Sequence, residues 1–219
     1  MSSKKKQLVI IDDHPMVRDW LGQLINKEED LEVCGGAEDM RQGMDVIQRA
    51  SPDLVIVDIT LKNSSGLELI KGLRALSMQM PVLVFSMHAE SLYAQRVLRA
   101  GASGYITKDC PPSEVLSAIR HVLAGKVYLS QEMTSQFLKN ARASGGAKGA
   151  SSPVDRLTDR ELVVLEKIGR GYSTRKIADA LQVGVATVDT YRARIKEKLN
   201  LQNGTELLQF GIQWLREHE

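Results

Sequence analysis

Up to about residue 125 the chain alternates between two hydrophobic patterns; after that it shows only one. Short continuous apolar runs, "LVIID" (8 to 12), "LEVCGGA" (31 to 37), "LVIVD" (54 to 58), "VLVFS" (82 to 86) and "GYIT" (104 to 107), are separated by segments with helical spacing near 16–27, 39–50, 66–76, 90–100 and 112–124. Short runs rich in Val and Ile read as strands, and the longer periodic segments as helices. Five strand–helix units whose strands are apolar on both faces predict the α/β class, with a five-stranded, doubly wound parallel sheet. Such a sheet gathers its chemistry at the carboxyl ends of its strands.

Past Asp155 only helical spacing remains. "LTDRELVVLEKIGRG", "STRKIADAL", "VATVDTYRARIKEKL" and "GTELLQFGIQWLREHE" read as four helices divided by Gly or short turns, a small all-α domain. Between the two patterns, "LSQEMTSQFLKNARASGGAKGASSPVD" begins as a short helix and passes into Ala, Ser, Gly and Pro. From about Ala143 to Asp155 there is too little large apolar surface to offset the entropy of ordering, which predicts a flexible linker. The expected organisation is an α/β domain over 1–125, a linker over 126–155 that is helical at first and then flexible, and a helical domain over 156–219.

A hydrophobic content of 43% over 219 residues suffices for two cores. No apolar run approaches the roughly 18 residues of a membrane span. The start "MSSKKKQLVIIDD" offers only Leu8 to Ile11 between its lysines and its carboxylates, too short for a secretion signal, so a cytoplasmic protein with no membrane partner is expected. Cys34 and Cys110 stand far apart with no CxxC or Cys/His cluster, so both read as structural. The net charge of +2 is uneven: 14 Lys/Arg against 16 Asp/Glu over 1–125, 4 against 2 over 126–155, and 11 against 9 over 156–219. The basic excess lies in the later segments, as for an acidic module followed by a polyanion binder.

Charged and polar residues close four of the strands: Asp12 and Asp13 after the first, Asp58 after the third, Ser86 on the fourth and Lys108 after the fifth. Parallel strands share one carboxyl edge, so these residues converge. Packed carboxylates resist ionisation unless a cation sits among them, and an all-oxygen set at a water-accessible edge suits Mg²⁺. Asp58 is then the natural nucleophile toward a phosphoryl group, with Lys108 neutralising the transferred oxygens and Ser86 donating a hydrogen bond. An aspartate-nucleophile phosphohydrolase would want a second acid two residues after the nucleophile, where this chain has Thr60.

With Tyr105 on the fifth strand, this set resembles the receiver domain of bacterial two-component response regulators, which implies a flavodoxin-like strand order for the sheet. The resemblance implies Asp58 as phosphoacceptor and Mg²⁺ held by Asp13, Asp58 and the Thr60 carbonyl, with Asp12 acting mainly through water. It also implies that Ser86 and Tyr105 move inward together on phosphorylation. Two positions depart from the family pattern. Lys62 stands where Pro is usual, which predicts a looser, more basic loop, and Asp109 follows Lys108 where many members have Pro. A cis Lys108–Asp109 bond would cost about 3–4 kcal/mol, so trans is expected.

The last domain resembles the LuxR-type helix-turn-helix of the NarL/FixJ subgroup, through "LTDRELVVLEKIGRGYSTRKIADALQVGVATVDTYRARIKEKL". On a helix from about Val185 to Leu199, the residues Val188, Tyr191, Ile195 and Leu199 form the core stripe, and Asp189, Thr190, Ala193 and Glu197 face outward. The resemblance implies DNA contacts from Lys176, Thr187, Asp189, Thr190, Arg192, Ala193, Arg194 and Lys196. In the final helix Leu207, Leu208, Phe210, Ile212, Trp214 and Leu215 occupy more than one face, which fits either a dimer surface or burial of all six in the core and against the receiver; the resemblance implies dimers on DNA. Together the resemblances imply a transcriptional regulator that is not an enzyme in the turnover sense. Its expected partners are double-stranded DNA, a sensor histidine kinase or small phosphodonor, and a second copy when phosphorylated. The rival is a constitutive DNA-binding protein with a structural or protein-binding receiver.

Overall fold

Each apolar run becomes a strand: β1 (Lys6–Ile11), β2 (Leu31–Ala37), β3 (Leu54–Val57), β4 (Val82–Ser86) and β5 (Gly104–Thr107). The segments between and after them become α1 (Pro15–Asn26), α2 (Met40–Ala50), α3 (Gly66–Ala75), α4 (Glu90–Ala100) and α5 (Pro112–Leu123). This is a computed structural model that describes residues 4–62, 64–143 and 153–218. By its contacts the chain divides into two compact units, 1–137 and 138–219.

In the first unit all five strands pair in parallel, in the order β2-β1-β3-β4-β5. Alternate side chains supply the two faces. Leu8, Ile10, Leu54, Ile56, Leu83, Phe85 and Ile106 pack with residues of α1 and α5 that include Leu21, Ile25, Val115 and Ile119. Val9, Ile11, Val55, Val57 and Val84 are equally buried on the other face, where α2 and α4 pack against strands and α3 packs between those helices. Each such burial stabilises by about 1.5–3 kcal/mol, so the strands are rigid mounts for whatever their ends carry. The strand order reverses between β1 and β3, the switch point at which sheets of this kind place their sites. Ile11 pairs with Val57 and the Asp58 N–H donates to the Ile11 carbonyl at 2.9 Å, so register alone sets Asp12 beside Asp58. Ser86 pairs with Thr107 and brings Lys108 to the same edge.

The loop after Asp58 is tighter than its missing proline suggests. Thr60–Leu61 pairs antiparallel with Ser64–Ser65, and Lys62 is neutralised by Glu38 at 3.0 Å. Gly66 is required there because a Cβ would collide with the Asp58 carbonyl oxygen. Ser65 then caps α3 by accepting from the Leu67 N–H. No peptide bond among the described residues is cis, so Lys108–Asp109 is trans. The bulge in β1–β2 pairing falls at Cys34, which is exposed, while Cys110 is half-buried against the core; both are free thiols.

The segment after α5 is more structured than a linker beginning at Lys126 would be. Tyr128 bridges Gly104 and exchanges backbone hydrogen bonds beside β5, the Ser130 N–H donates to Glu90, and α6 spans Gln131–Ala143. Most of the stretch expected to be flexible, 144–152, lies outside the described residues. Its end differs from expectation: Pro153–Arg156 is a short 3-10 helix because Val154 finds a buried place.

In the second unit the four helices are α7 (Asp159–Gly169), α8 (Thr174–Leu181), α9 (Val185–Leu199) and α10 (Gly204–His218). Thr158 and Glu161 form a reciprocal capping box at the start of α7. Helices α7 and α10 touch backbone to backbone, since a Cβ on Gly169 would meet the Gly211 carbonyl and one on Gly211 would meet Gly169. This crossing buries more of α10 than its composition suggests. Leu207, Trp214 and Leu215 are buried, Phe210 and Ile212 half-buried, and of the six only Leu208 is exposed, at 39%. The apolar excess open to a dimer surface thus shrinks to one residue. Among the described residues no helix is long and apolar enough to cross a membrane.

Candidate functional site

The carboxyl edge of the sheet brings together Asp12, Asp13, Asp58, Ser86 and Lys108. Asp12 and Asp58 are buried, at 1% and 4% exposure, and Ser86 is fully buried. The Lys108 ammonium sits between the two carboxylates, 2.6 Å from Asp12 Oδ2 and 2.6 Å from Asp58 Oδ2. Burial, the largest single influence on Lys108, lowers its pKa; Asp58 and Asp12 outweigh it and hold the ammonium charged with a pKa above its ordinary value. The other Asp12 oxygen accepts from the His14 N–H at 2.9 Å. Asp58 Oδ1 has only a long 3.4 Å contact from the Thr60 N–H.

Asp13 is the uncompensated member. Burial pushes its pKa above the ordinary carboxylate value; His14 and Lys108 lower it, and Asp58 and Asp12 raise it further. His14 Nδ1 lies 2.7 Å from Asp13 Oδ1, yet the ring is not aligned to donate, and that oxygen is buried without a hydrogen bond. One ligand atom from each of Asp12, Asp13, His14 and Asp58 falls within 4.8 Å of the others. An orphaned buried oxygen within a set of three carboxylates fits a small hard cation such as Mg²⁺.

Tyr105 is fully buried, and its hydroxyl donates to the His88 carbonyl at 2.8 Å. Ser86 Oγ accepts a long 3.5 Å hydrogen bond from the His88 N–H. The His88 ring shares a 3.0 Å hydrogen bond with the Thr60 hydroxyl and lies 4.8 Å from the Tyr93 ring.

In the second unit α9 carries the outward row expected of it. Asp189, Thr190, Ala193, Arg194 and Glu197 are exposed, Arg192 and Lys196 half-buried, and Val188 and Ile195 buried. Lys176 and Thr187 are exposed as well. The Thr190 hydroxyl donates back to the Ala186 carbonyl at 2.9 Å, so it is engaged within its own helix. Gly184 serves as N-cap without a side-chain bond.

Residues 8–120 match the response regulator receiver domain, and residues 155–210 match the bacterial regulatory proteins of the luxR family. The oxygen regulatory protein NreC of Staphylococcus carnosus is 32% identical over 94% of this chain and 96% of its own. The transcriptional activator protein ExaE of Pseudomonas putida is 35% identical over 94% of this chain and 95% of its own. The crystal structure of a LuxR-family two-component response regulator from Aurantimonas sp. SI85-9A1 superposes with a TM-score of 0.59 at 30% identity, covering 64% of this chain and 99% of that one. The chain is a LuxR-type response regulator. It is thus a two-component transcriptional regulator, with a receiver domain and a helix-turn-helix DNA-binding domain.

Three participants in this regulator's receiver site carry no strand-end signal of their own. His14 faces Asp13, Arg18 donates to the Asp12 carbonyl at 2.5 Å, and His88, buried at 8% exposure, is not the solvated loop residue its position suggests. His88 and Thr60 form a polar bridge between the loops after β4 and β3, next to Asp58. If the bridge restricts water, His88→Ala is expected to shorten the half-life of a phosphorylated receiver several-fold, measured by loss of phosphoryl mass after the donor is removed. An unchanged half-life would leave the bridge a purely structural link.

The helix-turn-helix of the regulator holds an ion pair with one buried partner, Glu161, and one partly exposed, Lys198. Glu161, 1% exposed, takes Lys198 at 2.6 Å and the Thr158 N–H at 2.7 Å, tying the end of α9 to the start of α7. Burial is the largest influence and raises the Glu161 pKa, but Lys198 and Thr158 together hold it below the ordinary glutamate value. A depressed folded pKa contributes stability above the unfolded value, lost as pH falls through the folded one. Lys198→Met is therefore expected to lower domain stability by about 1–3 kcal/mol at neutral pH, with the deficit shrinking below the ordinary glutamate range. Thermal unfolding of both proteins across acid pH measures it, and a deficit that persists unchanged in acid refutes the pairing.

Proposed function

We propose that this regulator accepts a phosphoryl group on Asp58 and that the modification controls how its helix-turn-helix, as a dimer, engages double-stranded DNA. The observation that carries the reading is the juxtaposition of Asp58 Oδ1, lacking a close partner, with the Lys108 ammonium and the orphaned Asp13 oxygen. Asp58 attacks phosphorus in line with the leaving group of a sensor histidine kinase or small phosphodonor. Lys108 neutralises the transferred oxygens, and Ser86 donates to one of them. Asp13, Asp58 and the Thr60 carbonyl would hold Mg²⁺, with Asp12 acting mainly through water. The metal would supply neutralisation of the phosphoryl charge. The receiver thereby promotes its own phosphorylation and dephosphorylation without acting as an enzyme on other molecules.

On the DNA side, Thr187, Asp189, Ala193 and Arg194 lie on the exposed face of α9 that would enter the major groove, with Lys176, Thr190, Arg192 and Lys196 beside it. Asp189 has the wrong sign for phosphate but can accept from a cytosine amino group, a contact worth about 1–3 kcal/mol. Asp189→Ala is expected to bind random duplex more tightly while relaxing preference at one base pair per half-site, as site selection from a random pool would reveal. If mutant and wild type recover the same motif with equal stringency, Asp189 is only a charge near the helix start.

The constitutive alternative is a receiver that serves as a structural or protein-binding module while the helix-turn-helix binds duplex regardless of phosphorylation. Duplex binding by the full chain, before and after incubation with Mg²⁺ and acetyl phosphate, separates the two. A marked gain in affinity supports phosphorylation control. Equal affinity in both states supports constitutive binding.

A further inference from the structure

The corner between α7 and α8 holds a cation arrangement that neither the helix core nor the outward row of α9 explains. Tyr172 follows Gly171, whose φ of +77° turns the chain out of α7, and the Tyr172 N–H closes that turn by donating to the Lys167 carbonyl at 3.0 Å. The half-buried ring so placed collects two ammonium groups, Lys176 at 4.0 Å and Lys167 at 5.6 Å from its centroid. Both fall within the range of about 6 Å over which an aromatic face attracts a cation. Among the described residues neither lysine has a carboxylate within 4 Å, so two like charges share one ring without compensation.

Helix stability does not account for this. Lys176 lies in the first turn of α8, which carries no acid, and a cation there opposes the helix dipole. A pair of uncompensated ammonium groups on a rigid platform instead presents local positive charge to an incoming anion. A free lysine loses much rotamer entropy when it is immobilised on a partner. A ring that already holds the ammonium removes part of that loss before binding.

We infer that Tyr172 is a positioning residue that pre-orders Lys176, with Lys167 beside it, to clasp a phosphate of the DNA backbone at the α7–α8 corner. The inference rests on the DNA-binding reading above and adds a residue that acts through lysine rather than touching DNA. The contact is to phosphate, so it adds affinity for any sequence and none for a particular one.

The test compares the full chain, treated with Mg²⁺ and acetyl phosphate, with Tyr172→Phe, Tyr172→Leu, Lys176→Gln and the Tyr172→Leu/Lys176→Gln double variant, binding random-sequence duplex across a salt series. Tyr172→Leu is expected to weaken binding about three- to tenfold near 0.1 M salt and to lower the slope of log K against log salt by about one, the signature of a lost phosphate contact. Lys176→Gln should lose at least as much, and the double variant no more than Lys176→Gln, because Tyr172 acts only through that lysine. Tyr172→Phe, which keeps the ring face, should restore both affinity and slope. Additive losses, or a weakened Tyr172→Leu with the wild-type slope, overturn the inference and leave Tyr172 a packing residue. A wild type that binds no duplex overturns the DNA-binding reading and this inference with it, whereas a wild type that binds while Tyr172→Leu behaves identically overturns the inference alone.

Discussion

Asp58→Asn is expected to abolish phosphoryl uptake outright. Incubated with Mg²⁺ and acetyl phosphate, the wild-type chain should gain one phosphoryl-sized increment of intact mass and the variant none. The three clustered carboxylates differ in what already occupies their oxygens. Asp12 has one oxygen on Lys108 and the other on the His14 N–H. Asp13 has its buried Oδ1 turned into the cluster of ligand atoms shared with Asp12, His14 and Asp58, where it would hold the cation rather than attack phosphorus. Asp58 alone combines one oxygen fixed by Lys108 with another that has only a 3.4 Å contact. An amide at that position keeps the shape and one acceptor oxygen for Lys108, but loses the charge and offers no anionic lone pair to phosphorus. Equal mass gain in the variant would place the acceptor on Asp12 or Asp13 and refute the assignment.

The convergence of those residues was legible in the sequence because runs apolar on both faces make a covered parallel sheet, whose strands all end on one edge. Once Leu8 to Ile11 and Leu54 to Val57 are buried strands of one parallel sheet, Asp12 and Asp58 have to emerge side by side. The same holds for the core stripe of α9, where Val188 and Ile195 are buried as helical spacing requires. Contacts made between loops were not legible. The Thr60–His88 bridge joins residues 28 apart in the chain, and no periodicity links one loop to another. The pair Glu161–Lys198 was hidden because a capping box and a charged helix end each have ordinary solvated readings. The burial of α10 was left open for a third reason. Periodicity counts side chains, while burial of that helix depends on how closely its backbone approaches α7, which Gly169 and Gly211 decide.

Removing the central cation of the receiver should unmask the repulsion that it conceals. Lys108→Met keeps most of the side-chain volume but leaves Asp12, Asp13 and Asp58 clustered with no buried ammonium, and breaking a buried pair in this way typically destabilises by about 3–5 kcal/mol. The exposures warrant the buried figure rather than the surface one, since the Lys108, Asp12 and Asp58 side chains are 6%, 2% and 5% exposed. Burial disfavours the charged lysine most, yet Asp58 and Asp12 keep its pKa above the ordinary value. A cation with a raised folded pKa contributes stability that is complete below the unfolded pKa and is lost only as pH rises through the folded one. The contribution of Lys108 should therefore be constant between about pH 6 and 8. The two tryptophans, Trp20 and Trp214, lie one in each unit, so in a Trp214→Phe background Trp20, stacked on Phe85, reports the receiver alone. Urea unfolding followed by that fluorescence, in the presence of a chelator, should show the loss, and added Mg²⁺ should recover part of it by restoring positive charge among the carboxylates. A loss under about 1 kcal/mol, as for a solvated surface pair, would mean that the carboxylates tolerate one another without Lys108, and the electrostatic account of this site would fall.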